Sequence, residues 1–484
     1  MIEKNVVELH VDNNDTPKVK SSWVLPVALI LIVEIVLLLP SSLTMEAKWS
    51  LFGFCSAIIL WTTTTINSAY IALGSVLFLI ISGTAKQDLL FDSLASDVIW
   101  LMIGSFILGR ALQITGLAEK MTYFVVNRAR NISGLCWILT MIIQILAFFI
   151  PSTSGRAAVV LPVFQAICKE IGSRRIAKAL AILMPTVILV STSSTIIGAG
   201  SHLIALDMLN EFNNKNITFV EWLIWGLPFG IIMSFISCRV ILVLFLDKEE
   251  VKTKLQQKKV KFELSRNEKY TISILIAMVA FWLTEWLHGL EIATVTIIGV
   301  FLLTLPKLGV MQWKESLKGV SWNLILFVGA AIALGKSLME SGAAQWIMQN
   351  LFLVTELINK QSIFIVLLVI VILSVTSHLY ITSHTTRAVI FIPPLLYFAS
   401  SLQLNEVAVL FLGIVGMNYC LTFPVSSKAL LLFQESDRET FQPQDLLKLS
   451  SYLSVIYICN GHILLCILAM GWIISLKIRN IFHS

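Results

Sequence analysis

Two short polar runs interrupt apolar stretches of the chain and hold its most reactive-looking groups: Ser152-Thr153-Ser154-Gly155-Arg156 and Ser383-His384-Thr385-Thr386-Arg387. A run of this kind at the tip of a helical hairpin unwinds the chain and frees backbone N–H groups. The half-helix that starts after it carries partial positive charge at its N-terminus, and together these suit an anion. Serine and threonine hydroxyls donate to the same ligand. Arginine grips a carboxylate or sulfate-like group in a bidentate fork, and an ionised side chain at membrane depth points to function. Arg156 and Arg387 are therefore expected to contact an anion directly or through one intervening group. The alternative is that each snorkels to an interface or caps carbonyls within its own hairpin.

Each run is followed by another interrupted apolar segment, Ser191 to His202 and Asn418 to Lys428. Hydroxyls together with Gly198, Gly200 and Pro424 mark unwinding there, so both segments can complete the site. Unwound carbonyls and helix C-terminal ends suit sodium. Hydroxyl residues also serve as packing residues between membrane helices. Lys428 stands apart, because a lysine in that place needs a partner or an anion. Other chemistries are poorly served. There is no HExxH, no GxSxG and no paired histidine–carboxylate cluster, and Glu34 and Glu285 are isolated near span ends, so an enzyme is not expected. A channel would want a continuous polar stripe, whereas polarity here is confined to local breaks. The seven cysteines form no CxxC pair and indicate neither a disulfide framework nor a zinc site.

The elements that position these residues follow from composition. The chain has 484 residues, 57% hydrophobic and 13% charged, and a mean hydropathy of +0.85. Soluble domains carry about 25% charged residues, so an all-α integral membrane protein is expected. The net charge of +6 includes no basic stripe interleaved with aromatics, which argues against nucleic acid. Candidate spans are 24–40, 49–66, 69–83, 97–117, 178–208, 220–246, 270–286, 291–306, 321–340, 405–433 and 451–476, or about eleven crossings at roughly 20 residues each. The stretches 135–168 and 361–400 are broken at their centres by the polar runs and read as re-entrant hairpins, about 133–170 and 361–400.

Lysine and arginine set the orientation. The polar tail 1–23, the stretch 120–130, the stretch 169–178 and the linker 247–269 with its eight basic residues fall on one face, taken as cytoplasmic. That places the C-terminus outside the cell membrane. Loop 434–450 is net acidic on the inner face, and Lys477 and Arg479 lie on the outer one, so the fit is imperfect.

The chain also repeats itself across that linker. WTTTT from Trp61 matches WLTEW from Trp282; GSFILGRALQITG from Gly104 matches GAAIALGKSLMESG from Gly329 with one insertion. The runs 152–162 and 383–393 share four of eleven residues without a gap. Five crossings separate corresponding points in the proposed topology, and an odd number inverts the second copy. The domains are then the tail 1–23, a first helix plus repeat 1 over 24–246, the linker 247–269, and repeat 2 over 270–484.

These features together resemble the divalent anion/sodium symporter (DASS) family of the ion transporter superfamily. That family carries Ser-Asn-Thr at each of two hairpin tips, where this chain has Ser152-Thr153-Ser154 and Ser383-His384-Thr385. The stretch 194–204 is similar to the family's Gly-Thr-x-x-Gly-Thr-Pro-Pro-Asn segment, and Pro424 to Lys428 to its second copy. The resemblance implies a homodimeric elevator-type secondary transporter, its moving parts being about 133–246 and 361–484. It implies a small divalent anion (C4-dicarboxylate, citrate or sulfate) as substrate, sodium-coupled symport with exchange or proton coupling as alternatives, and no organic cofactor. By the same resemblance, Ser152, Thr153, Ser154, Arg156, Ser383, His384, Thr385, Arg387 and Pro424 bind substrate, and Ser152, Thr153, Gly198, Ser383 and Thr422 bind sodium. Thr153 and His384 replace the family's asparagines, and the Pro-Pro-Asn element is absent from both copies. A histidine ring nitrogen is a poor sodium ligand but titrates near neutral pH, which admits proton coupling.

Overall fold

The structure is a computed structural model that describes residues 23–39, 41–117, 120, 128–150, 152–255, 263–344, 346, 363–436 and 440–461. The tail 1–22, Lys258 and Lys259 of the linker, the end of the last candidate span (462–476), Lys477 and Arg479 lie outside these residues. The described elements are helical, apart from one isolated antiparallel bridge between Asn131 and Lys254.

The first half runs through α1 (Val24–Leu38), α2 (Met45–Thr63), α3 (Ser68–Ile81), the short α4 (Asp88–Leu94) and α5 (Asp97–Thr115). A helical hairpin follows, α6 (Ile132–Leu146) and α7 (Thr153–Ile171). Next come α8 (Arg174–Val190), two 3₁₀ turns over 191–198, α9 (Gly200–Asn213) and α10 (Phe219–Phe245). The second half runs through α11 (Arg266–Leu283), α12 (Ile292–Leu303) and α13 (Trp322–Glu340), then a hairpin of α14 (Ile363–Thr376) and α15 (His384–Ser401). After it come α16 (Glu406–Asn418), a break with one 3₁₀ turn, α17 (Lys428–Gln434) and a helix α18 over 443–461.

Local chemistry accounts for these boundaries. Ser173 caps α8, accepting from Ile176 N at 3.4 Å, and Thr218 with Glu221 forms a capping box on α10. Gly172, at φ +69°, ends the first hairpin in the left-handed conformation that closes a helix without a Cβ penalty. Four helical stretches, 97–115, 174–194, 219–245 and 322–340, are long and apolar enough to cross a membrane, and six shorter apolar helices accompany them. The exposed face of α1 is almost wholly aliphatic, with Ile35 61% and Leu38 62% accessible, as lipid contact demands.

Two bodies of packing emerge. α5 packs on α12, and α3 on α13, forming a frame. In the other body the halves interlock: α7 packs on α17, and α15 packs on α9. The hairpin helix of each half thus rests on the helix that follows the break in the other half. Ring pairs mark both seams, Phe164 with Phe433 at 5.4 Å and Phe212 with Tyr397 at 4.8 Å. Ion pairs also cross between halves, Lys178 with Asp445 at 2.7 Å and Lys215 with Glu406 at 2.9 Å.

Candidate functional site: two hairpin tips on one cavity

The two tips are built alike. Ser152 is the N-cap of α7, accepting from Gly155 N at 3.2 Å, and Ser383 is the N-cap of α15, accepting from Thr386 N at 3.3 Å. Ser152 Oγ and Ser154 Oγ share a hydrogen bond of 3.0 Å; Ser383 Oγ and Thr385 Oγ1 share one of the same length. One sequence pattern therefore gives one local geometry twice, a hydroxyl pair at the start of a long helix.

Both tips open onto a single cavity of about 730 Å³, lined by Ser152, Thr153, Ser154, Gly155, Ser383, His384 and Thr385. The breaks contribute Ala199 and Gly200 from the first half, and Val425, Ser427 and Lys428 from the second. The frame supplies Arg110 and Gln113 on α5, with Ser321 and Asn323 at the start of α13. Among the described residues, no carboxylate side chain lines the cavity, while Arg110 and Lys428 both do.

The tip arginines point elsewhere. Arg156 and Arg387 are fully buried and absent from the cavity wall. Arg156 donates to Ser191 Oγ at 2.9 Å and to the Gly198 carbonyl at 2.8 Å; Arg387 donates to the Tyr419 carbonyl at 3.2 Å. Each guanidinium thus staples its hairpin to the break of the same half, one layer behind the tip. No described carboxylate pairs with either. Two buried cations without counter-charge are costly unless an anion is near, so their field favours negative charge at the tips.

The other residues singled out in the sequence sit in the breaks. Gly198 presents its carbonyl to Arg156 and has no room for a side chain: a Cβ there would lie 2.1 Å from Thr192 O. Pro424 is buried and opens the 3₁₀ turn of the second break, off the cavity wall. Thr422 Oγ1 lies 2.7 Å from His378 Nε2 and 2.7 Å from Ser450 Oγ. His378 Nδ1 faces the Val375 carbonyl and so carries the proton, which makes Nε2 the acceptor of the Thr422 hydroxyl. By the same logic His202 donates from Nδ1 to Thr195 O at 3.1 Å and accepts at Nε2 from Asn418 Nδ2 at 2.6 Å. That neutral imidazole joins the two breaks across the halves. His384 Nε2 lies 3.1 Å from Cys420 Sγ, and its buried Nδ1 has no described hydrogen-bond partner. Among the described residues, no group of three or more His, Cys, Asp or Glu is placed to hold a metal. Carbonyls and hydroxyls of tips and breaks are the oxygen ligands on offer to sodium, and Arg156 already holds the Gly198 carbonyl.

Sequence reasoning did not reach the frame's share of the cavity, Arg110, Gln113, Ser321 and Asn323. The signal available was the match of Gly109-Arg110 with Gly335-Lys336 between the runs 104–116 and 329–342, which puts a cation at the same place in each.

A helical membrane protein with two like hairpins and two broken helices around one polar cavity has the architecture of a secondary transporter. The family described as "Sodium:sulfate symporter transmembrane region" matches residues 20–477, and the chain belongs to it. The chain is 24% identical to the citrate/succinate antiporter of Escherichia coli over 78% of each sequence. It is 23% identical to a sodium-dependent dicarboxylate transporter of Staphylococcus saprophyticus over 76% of each. The crystal structure of the Alcanivorax borkumensis YdaH transporter superposes with a TM-score of 0.54 at 10% identity, covering 93% of this chain and 99% of that one, a likeness of fold.

Proposed function

We propose that the protein carries small divalent anions, C4-dicarboxylates, citrate or sulfate, across the cell membrane by exchange, the hairpin body moving against the frame as an elevator. The observation that carries this reading is the pair of matched hydroxyl tips on one cavity that no described carboxylate lines, each tip backed by a buried arginine. Tip hydroxyls and N–H groups hold the anion, and Arg156 and Arg387 supply its counter-charge from behind. The linker 247–269 is taken as cytoplasmic, so the cavity, bounded by the C-terminal part of α5 and the N-terminus of α13, opens inward. The second half is then an inverted copy of the first.

Coupling follows from the same arginines. In a symporter, sodium ions arrive and leave with the substrate, so the empty site returns without their charge. Here the cations are covalently fixed, and Arg156 sets a positive charge against the Gly198 carbonyl, one of the break oxygens on offer to sodium. An unloaded body would cross the low-dielectric frame with positive charge uncompensated, which costs several kcal/mol per ion. Return with another anion avoids that cost, so exchange is favoured. Sodium symport is the second reading, supported by the family's description and the sodium-dependent relative. The test is uptake of labelled succinate, malate, citrate or sulfate into proteoliposomes. Exchange predicts uptake only into vesicles preloaded with unlabelled anion, at equal rates in sodium and choline buffers. Uptake into empty vesicles driven by a sodium gradient would replace exchange with symport, and no uptake of any of the four anions would sink the carrier reading.

A further inference from the structure

The cavity holds one cation whose role the tips do not explain. Lys428 is the first residue of α17; it is exposed, lines the cavity with both tips, and has no hydrogen bond or ion pair to a described residue. The other cations near the site are placed differently, although Arg387 Nε and Nη2 have no described hydrogen-bond partner. Arg156 and Arg387 are bound to break carbonyls and turned from the cavity. Arg110 belongs to the frame and lies 3.5 Å from Gln113 Oε1 and 3.6 Å from Glu315 Oε1. Lys428 is thus the body's one described cavity cation with its ammonium unengaged, in a space that no described carboxylate lines.

The repeat sharpens the point. Gly200 opens α9 just after the first break, and Lys428 opens α17 just after the second, so the halves put nothing on one side of the cavity and an ammonium on the other. A symmetric pair of tips is thereby given a polarity. We propose that Lys428 is a substrate-binding residue that pairs with one anionic end of the ligand, and that it sets the preference for doubly over singly charged substrates. A flexible ammonium suits this role because it donates as a point charge to carboxylate or sulfate oxygens without fixing their plane. A carboxylate end replaced by an amide keeps its length but loses the charge that Lys428 meets.

This proposal rests on the anion-carrier reading, and the experiment separates the two. Purified protein in proteoliposomes is assayed with each transported dianion and its singly charged analogue: the monoamide of a dicarboxylate, or methyl sulfate against sulfate. The wild type is expected to favour the dianion. Lys428→Gln is expected to raise the dianion KM about tenfold to hundredfold, the range for losing one hydrogen bond to a charged group, with the analogue's KM nearly unmoved. Lys428→Arg is expected to restore most of the preference. The assay is repeated at about 1 M salt, where remote attraction is screened to about 3 Å. A direct contact still separates wild type from variant there. Loss of the difference at high salt would make Lys428 a steering charge at the mouth and overturn the proposal, as would an unchanged preference in Lys428→Gln. A wild type that moves none of the anions removes the carrier reading, and this proposal with it.

Discussion

At the scale of single residues, Arg156 decides how the site is read. Its guanidinium bridges Ser191 and Gly198, which lie 35 and 42 residues further along the chain. The sequence made its position legible, because Arg156 and Arg387 fall at one place in the matching runs 152–162 and 383–393. Where the guanidinium points was not legible, since that depends on a break folded back from far down the chain. If the arginine stands where a mobile cation would otherwise bind, Arg156→Ala leaves a cation-sized vacancy and a buried carbonyl without a donor. The variant is expected to lose about 1–3 kcal/mol of stability, read as a lower Tm in detergent. Sodium is then expected to raise the Tm of Arg156→Ala while leaving the wild type unmoved, because a ligand that binds only the folded state stabilises it by mass action. Equal Tm values in sodium and choline for the variant would remove the argument that this arginine substitutes for a bound cation.

At the scale of elements, the breaks themselves were legible and their supports were not. Clustered hydroxyls with Gly198, Gly200 and Pro424 announce unwinding in 191–202 and 418–428, and both segments leave the α-helix there. What receives the first break is α10, whose Gly226-x-x-x-Gly230 spacing marks a face for close approach but does not say what approaches it. A Cβ on Gly226 would lie 2.1 Å from Ser193 O, and one on Gly230 would lie 1.9 Å from Ser194 Oγ. Trp222 Nε1 adds a hydrogen bond to Ser193 O at 3.0 Å, Gln144 Nε2 donates to Ser194 Oγ, and Gln144 Oε1 accepts from Ser234 Oγ at 3.0 Å. The crossing of the halves, α7 on α17 and α15 on α9, is equally hidden, since periodicity shows that a helix has a buried face but not which partner covers it. Gly226→Ala forces backbone apart beneath the break and is expected to cost about 1–3 kcal/mol, with transport falling alongside. Gly74→Ala on α3 meets nothing within 4 Å and is expected to be neutral or slightly stabilising. Thermal unfolding of both variants checks the contrast; equal Tm values would show that α10 does not hold the break in place.

At the scale of the whole molecule, the question is whether the hairpin body moves against the frame. The seam to watch is α9 against α13, on the side away from the open cavity. Lys336 of α13 reaches Glu211 of α9 at 2.7 Å, and a Cβ on Gly335 would lie 3.4 Å from Met208 Cε. Lys336 aligns with Arg110 when the runs 104–116 and 329–342 are matched. One of the pair is therefore clasped across the closed seam while the other lines the open cavity. Closing the cavity and opening the far side by an elevator step requires α9 to slide along α13 and the Lys336–Glu211 contact to part. A covalent bridge across this seam should arrest the cycle. Joining Met208→Cys to Gly335→Cys with a short bis-methanethiosulfonate, which forms a disulfide to each thiol and releases sulfinate, is expected to abolish exchange in proteoliposomes, with reductant restoring it. Bridging Lys215→Cys to Glu406→Cys joins two parts of the same body, and is expected to leave exchange intact. Both bridges are scored by gel mobility, so the fraction linked is known. Exchange that persists in fully bridged 208–335 protein would mean that α9 and α13 stay together through the cycle. The anion would then have to cross by local opening of the tips, with frame and body held as one.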